Sequence, residues 1–99
     1  MTKDNILSIL KKEQPYLRQK FFVKRIAIFG SVAKGKDTPK SDIDIFVEFK
    51  QPVGLEFIRL AEYLEKRLGR KIDVLTPGGV ATIRQKKIAN DIRRSLIYV

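Results

Sequence analysis

The 99-residue sequence has 21 lysine and arginine residues against 11 acidic residues, which gives a formal net charge of +10. Its apolar fraction of 43% is typical of a folded chain, and its length predicts one domain, residues 1–99, with one modest core. Cysteine and histidine are both absent, which excludes disulfides, Cys/His zinc sites and histidine acid–base catalysis. A bound metal would need oxygen ligands, which favours magnesium or manganese.

Hydropathy and charge also bear on location and partners. No apolar run approaches the ~18 residues of a membrane span, and the charged N-terminus lacks an apolar signal region. These features, with the absence of cysteine, predict a cytoplasmic protein that does not bind membranes. The basic surplus suits nucleic acid, an acidic protein or a polyanionic nucleotide, and charge alone does not choose among them.

The first quarter of the chain predicts helix and then strand. Residues 2–12 have amphipathic spacing, and Pro15 is expected to end this helix or to begin a second one over residues 16–22. Residues 23–29 are β-branched and apolar on both faces. They predict a central strand that is covered on both sides.

The stretch GSVAKGKDTPKSDID, residues 30–44, follows this strand. Gly30 has no Cβ, so the backbone can turn sharply there and approach a ligand closely. Ser31 is predicted to be a helix N-cap, and the helix would aim free N–H groups at an anion. Lys34, Lys36 and Lys40 crowd the loop. They either neutralise the nearby aspartates or line a site for a triphosphate.

Residues 42–49 are predicted to be the second strand. Ile43, Ile45 and Val47 would face the core, while Asp42 and Asp44 share the opposite face. The Cα atoms of the two aspartates should lie about 7 Å apart at an extended rise. This spacing suits two carboxylates that gather one or two hard cations.

A helix and a short strand are predicted next. Residues 55–68 form the clearest helix, with Gly69 as its stop and a stripe of Leu55, Ile58, Ala61, Leu64 or Glu65, and Leu68. Residues 71–75 read as a third strand. An aspartate inside so short an apolar strand, Asp73, is costly unless it is paired or bound to a metal. Its pairing partners would be Lys71 or Arg70.

The C-terminal part predicts a turn at residues 76–79 and a basic helix, or a broken pair of helices, at residues 80–94. Residues 96–99 form a short apolar end that docks on the sheet or on a partner. Much of the positive charge outside residues 30–44 lies here, on Arg84, Lys86, Lys87, Arg93 and Arg94.

The pair Gly30-Ser31, ten intervening residues and Asp42-Ile43-Asp44 match the signature GSx10DxD. On this motif the chain resembles the polymerase-beta-like nucleotidyltransferases, and its length resembles the minimal nucleotidyltransferases that are antitoxin partners of HEPN toxins. The resemblance implies an α+β fold, with a small mixed twisted sheet and helices packed mainly on one face. Members usually carry arginine where Lys34 stands, and lysine keeps the charge but loses the planar fork.

The resemblance also implies a site and a function. Two magnesium ions, or manganese, would bind at three catalytic carboxylates, Asp42, Asp44 and Asp73. The nucleotide would bind at the turn, through Gly30, Ser31 and Lys34. Glu48 is the next candidate for the third carboxylate. The implied activity is transfer of AMP from ATP to a hydroxyl of a HEPN-type ribonuclease toxin. The alternative is a binding module of little or no activity that neutralises a toxin by contact or binds nucleic acid. A homo-oligomer is compatible with both.

Overall fold

Four strands form one mixed sheet in the computed structural model, which describes residues 1–99. They are β1 (Val23–Phe29), β2 (Ile43–Phe49), β3 (Ile72–Leu75) and β4 (Ile97–Tyr98), in the order β3-β2-β1-β4. β1 runs antiparallel to β2 and β4, and β2 runs parallel to β3. The three predicted strands are confirmed to within one residue, and so is the predicted α+β fold class.

Five helices surround the sheet: α1 (Lys3–Lys20), α2 (Gly30–Ala33), α3 (Leu55–Leu68), α4 (Pro77–Ala81) and α5 (Lys86–Ser95). The two longest, α1 and α3, pack on one face and enclose the larger core. The short helices α4 and α5 pack on the opposite face over a smaller core. None of the helices combines the length and the apolar character that a membrane span requires.

The alternation of β2 fixes which face carries the aspartates. Ile43, Ile45 and Val47 are fully buried in the larger core, as predicted. Phe46, on the opposite face, is buried with Ala27 and Phe29 in the smaller core. Both faces of β1 are therefore covered, as its sequence predicts. A one-residue slip of β2 would turn the aspartate face into the larger core, so burial stabilises the observed register.

The prediction that Pro15 divides the first helical region is wrong, because α1 continues through it. Proline removes one backbone hydrogen bond from a helix interior. Three buried leucine and isoleucine side chains on one face of α1 offset this loss, and Thr2 caps the first turn by accepting a hydrogen bond from Asn5 N at 3.1 Å. Burial of these side chains against the sheet, and not local helix propensity, keeps α1 continuous through Pro15.

The bounds of α3 and its stop are as predicted, but half of its apolar stripe is not. Leu55 and Ile58 are 63% and 54% exposed, whereas the buried residues are Leu60, Leu64 and Leu68. The strict four-residue spacing selects the face that meets the core. Gly69 ends the helix in the left-handed conformation at φ 67°, with its N–H bonded to Glu65 O at 2.8 Å.

The C-terminal part contains one more correction. Residues 76–79 are not a simple turn, since Thr76 caps α4 by accepting a hydrogen bond from Gly79 N at 3.1 Å, and Pro77 occupies the first turn. The division into two helices is confirmed, but α4 begins at Pro77, within the residues predicted as a turn, and only α5 lies almost entirely in the predicted helical region. The apolar end docks on the sheet as β4, where Tyr98 pairs with Ala27.

Glu13 ties α1 to α3. Its Oε1 accepts hydrogen bonds from Tyr63 OH at 2.5 Å and from Arg67 Nε at 2.6 Å, and its side chain is 14% exposed. The bond from the Tyr63 hydroxyl, reinforced by Arg67, lowers the pKa of Glu13 below its usual value, although burial opposes the shift. A lowered pKa in the folded state means stability that is present above the unfolded-state pKa and lost as the pH falls through the folded one.

Glu13→Gln is therefore expected to lower the free energy of unfolding by about 1 kcal/mol near neutral pH. The difference from the parent should shrink as the pH falls, because Glu13 itself then becomes neutral. Urea unfolding of both proteins between about pH 7 and about pH 2 measures this. A difference that stays constant or grows in acid would contradict the assignment.

Candidate active site

The Gly-Ser turn and the aspartates meet at one end of the sheet. Because β1 is antiparallel to β2 and β2 is parallel to β3, the end of β1 and the starts of β2 and β3 lie at the same end of the sheet. Asp44 pairs with Phe29 on one side and with Asp73 on the other. Paired residues of neighbouring strands project from the same face, about 4.8 Å apart across the sheet. The register thus places the Asp44 and Asp73 side chains beside each other.

Gly30 lies directly against the Asp44 carboxylate. It adopts a φ of 69°, and a Cβ built on it would overlap Asp44 Oδ2 and lie 3.0 Å from Asp44 Cγ. No residue with a side chain fits this position without displacing the carboxylate. The backbone at Gly30 thus approaches the Asp44 carboxylate closely, while the predicted approach to a ligand stays a prediction.

Ser31 does not cap a helix, contrary to the prediction. It is the second residue of the one-turn helix α2, and Phe29 occupies the cap position without a side-chain hydrogen bond. Ser31 is half-buried, and its hydroxyl is not enclosed without a hydrogen-bond partner. The first N–H groups of a helix have no intrahelical partner. This turn therefore offers backbone N–H groups and a hydroxyl to a ligand.

The three aspartates carry no neutralising partner from the chain. The four ion pairs of the structure use Glu13, Asp37 and Glu48 as their acids. Lys34, Lys36 and Lys40 form no direct ion pair with any of the three aspartates. Arg70 and Lys71 likewise do not pair with Asp73. The three lysines of the loop and the three aspartates can therefore bind charged groups from outside the chain.

Asp44 is the carboxylate of this cluster whose pKa is raised, by burial first and by its like-charged neighbours second. Burial, the Asp73 carboxylate and then the Asp42 carboxylate raise the pKa of the half-buried Asp44. Asp42 lies just before β2 and is exposed, as is Asp73. The burial argument for Asp73 is thus wrong, because the side chain stands at the open edge of the sheet. Strand register, not burial, brings it to the site.

Glu48 lies elsewhere. It accepts a hydrogen bond from Arg25 at 2.9 Å and contacts Lys24 at 3.4 Å, near the opposite end of β2. Its two cationic partners and its position make it a poor substitute for Asp73 as the third carboxylate.

The carboxylate oxygens of the candidate site suit a divalent cation that is held partly by the protein and partly by a bound ligand. The candidate donors are all carboxylate oxygens, which magnesium and manganese prefer. No three acidic side chains of the chain enclose a common point. Magnesium commonly binds through one or two carboxylates together with substrate phosphates, so a closed protein cage is not required. A cation here would also relieve the repulsion that raises the pKa of Asp44.

Helix α5 forms a wall next to the turn, which the sequence interpretation missed. A cavity of about 170 Å³ lies between them, lined by Phe29, Gly30 and Lys34 on one side and by Ile88, Asp91, Ile92 and Ser95 of α5 on the other. The i, i+4 spacing of Ile88 and Ile92 was the available signal for an inward helix face. Lys34 is exposed at this cavity, which agrees with its predicted place beside the turn.

A glycine-serine turn lies against Asp44 at the start of the next strand, with Asp42 just before that strand and Asp73 on the parallel neighbour, which agrees with the nucleotidyltransferase signature of the sequence. Residues 4–99 match the family model described as nucleotidyltransferase domain, and the chain belongs to that family. The resemblance inferred from the signature is confirmed.

Named relatives cover almost the whole chain. It is 44% identical over 101 residues to a "putative protein adenylyltransferase" of Methanocaldococcus jannaschii, covering 99% of this chain and 98% of the relative. It is 37% identical over 100 residues to the protein adenylyltransferase MntA of Thermococcus cleftensis, covering 100% and 97%.

Solved structures share the fold. A "putative minimal nucleotidyltransferase" superimposes with a TM-score of 0.75 at 26% identity, over 98% of this chain and 95% of that one. A toxin-antitoxin crystal structure with AMP-PNP superimposes with a TM-score of 0.64 at 19% identity, over 99% and 72%. At the latter identity the likeness concerns the fold alone.

Proposed function

We propose that this chain transfers AMP from ATP to a hydroxyl of a partner protein, a HEPN-type toxin, and thereby acts as its antitoxin. The observation that carries the proposal is the unpaired aspartate cluster held against the Gly30 turn. The relatives named as protein adenylyltransferases support the choice of AMP and of a protein acceptor. ATP and a ribonuclease toxin as substrates would place this activity in the cytosol.

In this proposal the chain acts mainly by positioning and charge. Gly30 and Ser31 bind the β- and γ-phosphates through backbone N–H groups and the hydroxyl, and Lys34 adds a positive charge. Asp42, Asp44 and Asp73 would hold two magnesium ions, or manganese, and such ions would neutralise phosphate charge and lower the pKa of the acceptor hydroxyl. Transfer of this kind needs little further chemistry from the protein.

The bond changes balance without any other reactant. The acceptor oxygen forms a bond to the α-phosphorus, and the bond from that phosphorus to the bridging oxygen of pyrophosphate breaks in line. The acceptor proton passes to Asp73 or to solvent, and pyrophosphate leaves. In this proposal Asp73, which is exposed on the edge strand, is the carboxylate nearest to the acceptor.

A second candidate function is binding without transfer, and the basic cleft between α4 and α5 favours it. This cleft of about 320 Å³ has Arg84, Lys86 and Arg93 around an apolar floor that includes Val80 and Ala89. None of the three cations forms an ion pair in the chain. Such a surface suits an acidic face of a toxin or a nucleic-acid backbone.

Co-expression with the genomic neighbour separates the two functions. We expect mass spectrometry to show AMP on the neighbour with the parent chain and none with Asp44→Asn. Glu62→Gln removes an exposed carboxylate of α3 and should leave the modification intact. Asp44→Asn should stay folded, because it removes one member of a repelling cluster.

Salt dependence tests the alternative. A complex with a protein partner should keep a fixed stoichiometry at moderate salt, since apolar contacts contribute to it. Non-specific RNA binding should weaken by orders of magnitude between about 50 and about 200 mM salt if several phosphates are contacted. An unmodified and unbound neighbour, together with salt-sensitive RNA binding, would contradict adenylyl transfer and favour the binding module.

A further inference from the structure

Arg70 is the most extensively bonded basic side chain of the structure, and all its partners lie in one loop. Its Nη1 donates to Asp37 Oδ2 at 3.1 Å, and its Nη2 donates to Thr38 O at 3.1 Å and to Ser41 O at 2.7 Å. Its Nε also donates to Ser41 O, at 3.2 Å. The Arg70 side chain is 11% exposed and the Asp37 side chain 16%. We call the loop, residues 34–41, the signature loop because it connects the Gly-Ser turn to Asp42.

Arg70 is itself held in place from both sides. Gly69 turns the chain at the end of α3, and β3 begins two residues after Arg70. Lys71 O accepts a hydrogen bond from Ile43 N at 2.9 Å, and Ile72 N donates to Glu65 Oε2 at 3.2 Å. The guanidinium therefore projects from a rigid junction of α3, β2 and β3.

Residues 38–41 of the signature loop form a hydrogen-bonded turn, and the carbonyls of Thr38 and Ser41 also accept hydrogen bonds from Arg70. Ser41 N donates to Thr38 O, and Thr38 N donates to Ser41 Oγ, each at 3.0 Å. The next residue after Ser41 is Asp42, and Asp44 follows on β2. Holding the Ser41 carbonyl thus fixes the backbone immediately before the aspartates.

The loop contributes nothing to either hydrophobic core. No residue from 34 to 41 is buried, and none belongs to a core cluster. The nearly buried Arg70 side chain donates four hydrogen bonds to this loop, although the loop adds nothing to the packing of either core. What the loop does connect are the two halves of the candidate site, the Gly-Ser turn and the aspartate strand.

We infer that Arg70 is a positioning residue, which holds the signature loop so that Asp42 and Asp44 keep their place beside the Gly30 turn. This inference rests on the proposed function for its effect on transfer, but not for its effect on cation binding. A lysine cannot replace the arginine, because a single ammonium lacks the planar fork that reaches Asp37, Thr38 and Ser41 together.

The test compares Arg70→Lys with Arg67→Lys as its matched control. Arg67 also forms an arginine–carboxylate contact, to Glu13 at 2.6 Å, but between α1 and α3 and away from the loop. We expect Arg70→Lys to weaken Mn²⁺ binding, measured by electron paramagnetic resonance with a non-hydrolysable ATP analogue, by about 10–100-fold. Arg67→Lys should bind Mn²⁺ within about twofold of the parent, because its loss affects stability only.

Asp37→Asn is a milder second variant that serves if Arg70→Lys does not fold. It removes the ion pair and leaves the bonds to both backbone carbonyls, so a loss of about threefold to tenfold in Mn²⁺ affinity is expected, smaller than that of Arg70→Lys. Circular dichroism establishes that each protein is folded at the assay temperature. Under the proposed function, AMP transfer at saturating ATP should fall in parallel with Mn²⁺ affinity.

The outcomes separate the inference from the proposed function. Weakened Mn²⁺ binding in Arg70→Lys supports the positioning role even if the parent transfers no AMP, in which case only the proposed function fails. Mn²⁺ affinity equal to that of the parent in folded Arg70→Lys, or in folded Asp37→Asn where the lysine variant is unfolded, would overturn the inference. Equal losses in Arg70→Lys and Arg67→Lys would overturn it as well, since they would reflect stability alone.

Discussion

Gly30→Ala is expected to reduce AMP transfer by about 100-fold or more, because a misplacement of about 1 Å at a reacting group costs this much. The added Cβ would overlap Asp44 Oδ2 and press on Asp44 Cγ, so the carboxylate must rotate or β2 must shift. The same substitution forces an alanine into the left-handed region at φ 69°, which costs about 1–2 kcal/mol by itself. Single-turnover transfer and urea unfolding measure the two effects separately.

Gly35→Ala supplies the matched control for backbone strain. Gly35 has the same φ of 69°, but a Cβ there meets nothing within 4 Å. It should therefore lose a similar free energy of unfolding from strain while it retains transfer within about threefold of the parent, a margin well below the cost of displacing a reacting group. Equal losses of transfer in the two alanine variants would mean that strain, and not contact with Asp44, makes glycine necessary at residue 30.

Local patterns in the sequence predicted the elements whose periodicity is unbroken. The alternation of Ile43, Ile45 and Val47 predicted the buried face of β2, and hence the side on which Asp44 projects. Gly69 marked the end of α3 correctly, because a positive φ is a property of a single residue. Each of these inferences depends on contacts between near neighbours in the chain, which a single sequence contains.

Contacts between distant residues could not be predicted in this way. Arg70 is separated from Asp37 by 33 residues and from Ser41 by 29, and no local pattern connects them. The packing of α4 and α5 on the aspartate face and the continuity of α1 through Pro15 depend likewise on tertiary burial. Asp73 was proposed from its place in a short apolar strand and from the family resemblance, and the parallel pairing with Asp44 is what places it beside that residue.

Asp73→Asn is expected to lower transfer by about 100-fold or more, the usual cost of losing a metal ligand or a catalytic base. Its effect on stability should have the opposite sign. Asp73 forms no ion pair, and its charge contributes to the raised pKa of Asp44. A raised pKa of Asp44 in the folded state means that stability falls as the pH rises from its unfolded-state value through the folded one. Neutralising Asp73 reduces that loss, so the metal-free variant should unfold at a higher urea concentration near neutral pH.

Glu48→Gln is the informative control for Asp73→Asn. Glu48 lies on β2, the strand that also carries Asp44, but it forms ion pairs with Lys24 and Arg25. Its loss should therefore slightly lower stability and leave transfer unchanged. The two substitutions thus predict opposite patterns: loss of transfer with gained stability for Asp73, and retained transfer with reduced stability for Glu48. Transfer that survives Asp73→Asn and disappears in Glu48→Gln would assign the third carboxylate to Glu48. Asp44 and Glu48, which lie near opposite ends of β2, would then both have to contact the substrate.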